Sequence, residues 1–196
     1  QVMDAYSTQQ HRKLILLAGL DVGVFTLCHL AHILCYLGYP DQALQQAQES
    51  VTLARALAHP FSHVAALSYL TMLHQLRRDW RAVHDSAAAA HRLCLEHDIP
   101  YYLAWTHFMQ GWVLTERDDN HAHRLEATPN AAPETIEQGI AQMEQSLADL
   151  QAMRTGLRRP YYQYLLAEAY GKVGRIEEGL RLLADALAQA REQEQL

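Results

Sequence analysis

At 196 residues the chain is long enough for one domain or a small array, and it buries well over half the surface of its unfolded form. Nearly half of it is apolar, Val and Ile are sparse beside Ala, Leu and Gln, and the net charge of −6 is spread over interspersed acids and bases. That balance favours helix over strand, gives no basic stripe for nucleic acid, and leaves no uncharged apolar run long enough to cross a bilayer.

Taken in chain order, residues 5–18 read as a short helix closed by Gly19. Asp21 caps a helix over about 22–37 whose core stripe is Leu27, Leu30, Ala31 and Leu34, the i, i+3, i+4, i+7 pattern. Gly38-Tyr39-Pro40-Asp41 forms a turn, and a helix over about 41–58 buries Leu44, Ala47, Val51 and Ala54. Pro60 opens the next pair. Leu67, Leu70, Thr71 and His74 lie on its first helix, Arg78-Asp79 in the turn, and Val83, Ala87, Ala90 and Cys94 on its second. A third first helix opens at Pro100 and runs through Phe108, Gly111 and Leu114 to about Arg117.

The pattern then breaks. Residues 118–133 are polar, with Pro and Asn punctuation, and read as a loop inserted between paired helices. Periodicity resumes at Ile136, Ile140, Met143, Leu147 and Leu150. A last pair opens at Pro160, carries Leu166, Ala167 and Tyr170, turns at Gly174, and continues through Leu180, Leu183, Ala186 and Leu187 to a polar end at 191–195. A proline-opened pair of helices thus returns about every 40 residues, apart from the insertion, which is the mark of a stacked helical-hairpin array. Small residues recur at fixed places: Ala31, Gly111 and Ala167 past the midpoint of first helices, and Ala43, Gly139 and Gly179 near the start of second ones. A large side chain there would hold the paired helices apart.

The strongest match to a known pattern lies in the fourth unit, Leu166-Ala167-Glu168-Ala169-Tyr170-Gly171-Lys172-Val173-Gly174-Arg175-Ile176-Glu177-Glu178-Gly179-Leu180, which resembles the tetratricopeptide (TPR) repeat. Leu30-Ala31, Gly38 and Ala43-Leu44 carry the same resemblance in the first unit, whereas Thr71 and Arg78 depart from it in the second. The resemblance implies an all-α, right-handed TPR-like solenoid of about four repeats over 20–58, 59–98, 99–155 and 156–196, with 1–19 ending a preceding repeat. Further strings, among them Leu37-Gly38-Tyr39-Pro40-Asp41-Gln42-Ala43-Leu44, His59-Pro60-Phe61-Ser62, Leu73-His74-Gln75-Leu76-Arg77-Arg78 and Arg159-Pro160-Tyr161-Tyr162, are similar to the C-terminal repeats of large bacterial proteins. Those proteins join a nucleotide cyclase or other output domain to an AAA/STAND-type ATPase and a TPR tail, a plan shared by maltose-regulator-like activators. The resemblance implies a regulatory module cut from a larger cytoplasmic signalling protein. It does not bring an activity with it, since no Gly-rich Lys-Ser/Thr phosphate loop or cyclase carboxylate motif stands in the chain.

Three scattered cysteines, Cys28, Cys35 and Cys94, give no disulfide framework and suit a reducing compartment. The start, Gln1-Val2-Met3-Asp4, has no signal-peptide pattern, which agrees with a cytoplasmic location, and its abruptness reads as that of a fragment. Cys28, His32 and Cys35 share one helix face and are of metal-ligating type. One face spreads the two thiols over ~10 Å, too far for a single tetrahedral ion, so they read as polar groove residues. His121 and His123 fall in the inserted loop, and His74 on a core stripe reads as a buried, hydrogen-bonded histidine. Asp118-Asp119 and Glu177-Glu178 form no acid/base dyad, and no serine carries a nucleophile motif, so neither catalysis nor a cofactor or metal is expected.

What the pattern does offer is a surface. One position round from each buried stripe, the first helices carry Phe25, Cys28, His32 and Cys35, then Ser68, Met72 and Gln75, then Trp105, Phe108, Trp112 and Thr115, then Tyr161, Tyr164 and Glu168. If that side is concave and exposed, Phe25, His32, Met72, Trp105, Phe108, Trp112, Tyr161, Tyr164 and Glu168 form a binding face. It would suit a protein or peptide, either other domains of the parent chain or a second copy. The other reading of Trp105, Trp112 and Tyr161 is packing against neighbouring repeats. A small-molecule sensor, with its ligand in the same aromatic wall, is the alternative function.

Overall fold

The computed structural model describes residues 19–116, 135–156 and 158–194; the expected helix over 5–18 and the inserted loop with His121 and His123 lie outside them. The described residues form eight α-helices and no strand: α1 (Val22–Tyr36), α2 (Pro40–Ala56), α3 (Pro60–Leu76), α4 (Trp80–His97), α5 (Pro100–Glu116), α6 (Ile136–Ala152), α7 (Arg159–Lys172) and α8 (Ile176–Glu194). The all-α expectation holds. The chain divides into two compact units at Thr106/His107, within α5.

Local chemistry sets the helix ends. Asp21, His59 and Asp79 each accept a backbone N–H of the first turn they cap, and Thr135 with Gln138 forms a capping box. Pro40, Pro60 and Pro160 stand in the first turn of α2, α3 and α7, where a missing N–H costs nothing. Pro40 therefore belongs to a helix rather than to the preceding turn. Left-handed residues end the helices: Gly38 and Gly174 after α1 and α7, and the non-glycine Arg78 after α3, at φ 57°. In all three the next residue's N–H reaches back five positions, Tyr39 to Leu34, Asp79 to His74 and Arg175 to Tyr170, which closes the helix and reverses the chain.

In the first unit α1 pairs with α2 and α3 with α4, while α3 also packs on both α1 and α2. Ala31 and Ala43 are fully buried against each other's helices, in one cluster with Ala47 and Leu73. In the second pair the corresponding residues are Thr71 and Val83, both buried, and the Thr71 hydroxyl donates to its own helix at Leu67 O and meets Ser86 Oγ at 2.8 Å. A hydroxyl pair thus replaces the small-residue contact. A second cluster joins Val24, Cys28, Val51, Ala54, Ala66, Leu67 and Tyr69 across α1 to α3.

In the second unit α6 packs on α7 and α7 pairs with α8. The tightest contact joins the C-terminal part of α5 to α6. A Cβ added to Gly139 would lie 2.6 Å from Gly111 O, and one added to Gly111 would lie 2.7 Å from Gly139 O. Gly179 meets Ala167 O in the same sense at 3.1 Å. Polar groups lock the far side: the Tyr170 hydroxyl donates to Glu144 at 2.7 Å, Arg175 bridges Glu144 and Glu178, and its guanidinium lies 4.0 Å over the Tyr170 ring. Burial, then the bond to Glu144, pushes the Tyr170 phenol up to about 12. Three residues assigned to core stripes are exposed instead: Leu30 at 37%, Leu180 at 62% and Leu187 at 60%. On α8 the buried line runs through Gly179 and Ala186, one position before each leucine, because the close approach to α7 is made by the small residues.

The glycine contacts yield a three-way test by chemical denaturation. Gly139→Ala should destabilise by about 1–3 kcal/mol despite the better helix propensity of Ala, since the new Cβ meets backbone. Gly179→Ala should cost less, because its neighbour needs to give only a few tenths of an ångström. Gly171→Ala, with nothing within 4 Å of the added atom, should instead stabilise, by about 0.5–1 kcal/mol. Equal effects at Gly139 and Gly171 would refute the close backbone contact.

Candidate interaction surface

The side chains expected to form a binding face separate into two groups. Met72, Trp105, Phe108 and Trp112 are 7%, 0%, 0% and 1% exposed. The expectation that they face solvent is therefore corrected: they are core. Cys28, Ser68, Gln75 and Thr115 from the same register are buried too. The physical reason is visible on α3, which packs against three helices and buries eleven of its residues, from Ser62 to Gln75, on nearly every side. A stripe one position round from the core is then still core. Helix α5 has the same all-round apolar character, burying Tyr102, Ala104, Trp105, Phe108, Met109, Trp112 and Val113. The Phe108 ring meets that of Tyr162 of α7 at 5.2 Å and a 52° tilt, while the indole N–H groups of Trp105 and Trp112 are buried without a hydrogen-bond partner.

Phe25, His32, Tyr161, Tyr164 and Glu168 remain at the surface, Phe25 and Tyr164 each 45% exposed and the other three half-buried. In the first unit Phe25 and His32 belong to a continuous ladder that the sequence reading did not assemble. The Phe25 ring lies 4.0 Å from the His29 ring, which in turn lies 5.0 Å from Tyr69. Tyr69 then meets His32 at 5.1 Å. His29 Nδ1 pairs with Phe25 O at 2.9 Å and its Nε2 with the Tyr69 hydroxyl at 3.2 Å, while His32 Nε2 lies 3.0 Å from Tyr69 O. The ladder runs across α1 and α3, both first helices of their hairpins. Its missed members, His29 and Tyr69, stand 40 residues apart. That is the repeat period itself, so aligning the two first helices would have brought them together. In the second unit Tyr161 meets Tyr162 edge-on at 5.7 Å, and Tyr164 lies on the exposed side of α7.

The histidine on the core stripe also departs from expectation. His74 is half-buried, and its Nδ1 is enclosed without a hydrogen-bond partner, so it is not the satisfied core histidine that its position implied. Burial holds its pKa below the ordinary 6.5, with Asp79 raising it and Arg77 lowering it to smaller degrees. Among the described residues no group of three or more His, Cys, Asp or Glu is placed to hold a metal ion, and Cys28 is packed in the α1–α3 core. Nor is any helix there long and apolar enough to cross a membrane.

No family model matches the chain, and no curated protein matches it. Among solved structures it is similar to the nearly identical TPR-like repeats of a kinesin light chain protein from Podosopora anserina. The two are 18% identical, with a TM-score of 0.38 over 87% of this chain and 96% of that one.

Two measurements separate surface from core. Trp112→Ala should lose about 3–5 kcal/mol of unfolding free energy, whereas Phe25→Ala and Tyr164→Ala should each stay within about 1 kcal/mol of the parent. A parent-like melting temperature for Trp112→Ala would return it to the surface. The second measurement is the acid side of stability. Because the His74 pKa is depressed on folding, its contribution is fully present above 6.5 and is lost as pH falls toward its lower folded value. His63, lowered by burial and by Arg55, acts in the same direction. Thermal midpoints should therefore fall as pH drops below about 6.5, and His74→Gln should flatten that slope.

Proposed function

We propose that this chain is a non-catalytic interaction module that binds a protein or peptide on the exposed edge of its first helices. The observation that carries the reading is the Phe25–His29–Tyr69–His32 ladder: the Phe25 ring and two imidazoles on the surface of α1, held in place by rings and hydrogen bonds to Tyr69, which is itself buried in the core behind them. Rigid aromatic side chains supply contact area at small entropic cost, and imidazoles add donors and acceptors that adapt to a peptide backbone. Tyr161, Tyr164 and Glu168 on α7 supply a comparable surface in the second unit. Paired helices built around small-residue contacts suit this role, since hairpins of TPR type present side chains from their first helices.

The strings that resemble bacterial cyclase- and ATPase-linked TPR tails support a further placement, as a regulatory segment of a larger cytoplasmic signalling protein. The partner is then another domain of that protein or a second copy. The small-molecule alternative loses its main support, because Trp105, Phe108 and Trp112, which were to line the pocket, are themselves packed in the core.

The test is selection of peptides on the purified chain, followed by affinity measurement on variants. Phe25→Ala should weaken selected peptides by about ten-fold or more, with melting temperature unchanged. Peptides indifferent to Phe25, His32 and Tyr164 alike would place the binding surface elsewhere.

A further inference from the structure

The first unit holds a second feature that belongs to none of these surfaces. Where α2 ends and α3 begins, the last turn of α4 comes alongside and leaves a cleft of about 240 Å³. Its floor is apolar, from Ala54 and Leu93, and its walls carry Arg55, His59, His63 and His97. Among the described residues, every ionisable side chain lining it can therefore be cationic, and none is acidic.

The donors are poised in different ways. His59 Nδ1 accepts the Ser62 backbone N–H at 3.3 Å as the cap of α3 and lies 2.7 Å from Ser62 Oγ. A neutral His59 then keeps its proton on Nε2, so the other edge of the ring is a donor. His63 Nε2 is buried and has no hydrogen-bond partner. An enclosed polar atom left unpaired is costly, and an anion seated beside the ring offsets that cost through its charge without reaching the atom itself. Arg55 is exposed and close enough to His63 to oppose its protonation, a repulsion that no carboxylate in the cleft relieves.

The nearby acids are otherwise engaged or lie outside. Glu96 approaches His97 to 3.9 Å with an exposed side chain. Asp98 is exposed at the left-handed cap of α4. Asp21 is buried, its carboxylate capping α1 while its backbone N–H donates to Ser62 Oγ. On α4, burial pushes the Cys94 thiol up to about 11, so it stays neutral.

We propose that this cleft is an anion site for a phosphate monoester, held by Arg55, His59, His63 and His97. Such a dianion presents three terminal oxygens, which suits donors arriving from three helices. A carboxylate, with two oxygens, would leave part of the set unused. The cleft is smaller than the ~300 Å³ at which pockets for larger organic ligands begin, and it is open on one side, so it fits the charged group and the first atoms of whatever carries it. Neutralising Arg55 and His63 together removes their mutual repulsion. Binding and histidine protonation therefore favour each other.

The experiment uses the whole chain with inorganic phosphate and sulfate as probes, following the histidine ring resonances by NMR. Saturable shifts are expected at His59, His63 and His97. Sulfate keeps its charge across this range, so its affinity reports the histidines alone and should rise as pH is lowered from about 8 to about 6. Arg55→Gln should weaken both anions by about ten-fold or more. His97→Gln, on the exposed rim, should weaken them as well, with melting temperatures showing both variants folded. Phosphoserine peptide and glycerol phosphate then separate a phosphorylated chain from a small metabolite, either of which supports the site. The proposal is overturned if no shift saturates, if folded Arg55→Gln binds as the parent does, or if acetate competes as well as phosphate. None of these readouts depends on peptide binding at the Phe25 ladder, so either assignment can fail without the other.

Discussion

The contact on which the second unit depends is a backbone-to-backbone approach with no side chain between. Gly111 and Gly139 each occupy the space in which the other's carbonyl would meet a Cβ, and Ala167 and Gly179 repeat the arrangement one hairpin later. Interaxial distance follows the residues at the crossing, so this choice fixes how far α5 stands from α6 and α7 from α8. Everything that flanks the crossing inherits that distance. Between α6 and α7 polar groups make the join instead: Tyr170 and Arg175 both reach Glu144, and Arg175 also holds Glu178, three residues along its own chain. The first unit solves the same problem twice, with Ala31 and Ala43 in one hairpin and with the Thr71–Ser86 hydroxyl pair in the other.

Close packing of this kind limits which polar groups can be buried. Apart from Ser62, whose hydroxyl pairs with Asp21 and His59, the enclosed hydroxyls serve their own helices: Ser50, Ser68, Thr71, Ser86, Thr106, Thr115 and Ser146 each lie within bonding distance of a carbonyl three or four residues earlier. They behave as small residues that need no partner across the interface, so they can stand near helix crossings at little cost. Larger polar side chains do not have that option. His74 Nδ1 and Gln163 Oε1 remain enclosed and unbonded, and the depressed pKa of His74 is one consequence.

The helices were legible because their signals are local. Pro60, Pro100 and Pro160 opening helices, Asp21 as a cap, and turns at Gly38 and Gly174 are each read from a few adjacent residues, whereas the caps Asp79 and Thr135 and the helical place of Pro40 were not read. The small-residue rule also survived, because it concerns one contact between consecutive helices. What failed was the step from stripe to surface. It treated each helix as having one buried and one exposed side, which suits α2, whose buried residues Ala43, Ala47, Ser50, Val51 and Ala54 lie along a single line. Helix α3 has three neighbours and no such line. The number of neighbours is a property of the whole unit and leaves no mark in one helix's periodicity, except that an all-round apolar sequence such as α5 already argues against an open face.

That distinction decides where recognition can sit. An interior first helix offers a partner little, because packing has consumed its sides; Trp105 and Trp112 are large, aromatic and well suited to a hot spot, yet fully enclosed. Helix α1 packs on α2 and α3 but keeps Phe25, Ile33 and Tyr36 exposed. The ladder forms at that margin, where α1 keeps exposed side chains and α3 supplies the buried Tyr69 behind them. The cationic cleft obeys the same logic from the other direction. It lies at helix ends, where the chain turns and close packing lapses, so side chains from α2, α3 and α4 can converge there with Arg55 and His97 exposed and only His63 held partly inside. A core of this kind leaves both proposed sites, the ladder beside α1 and the cleft at the helix ends, at the edges of the packing rather than within it.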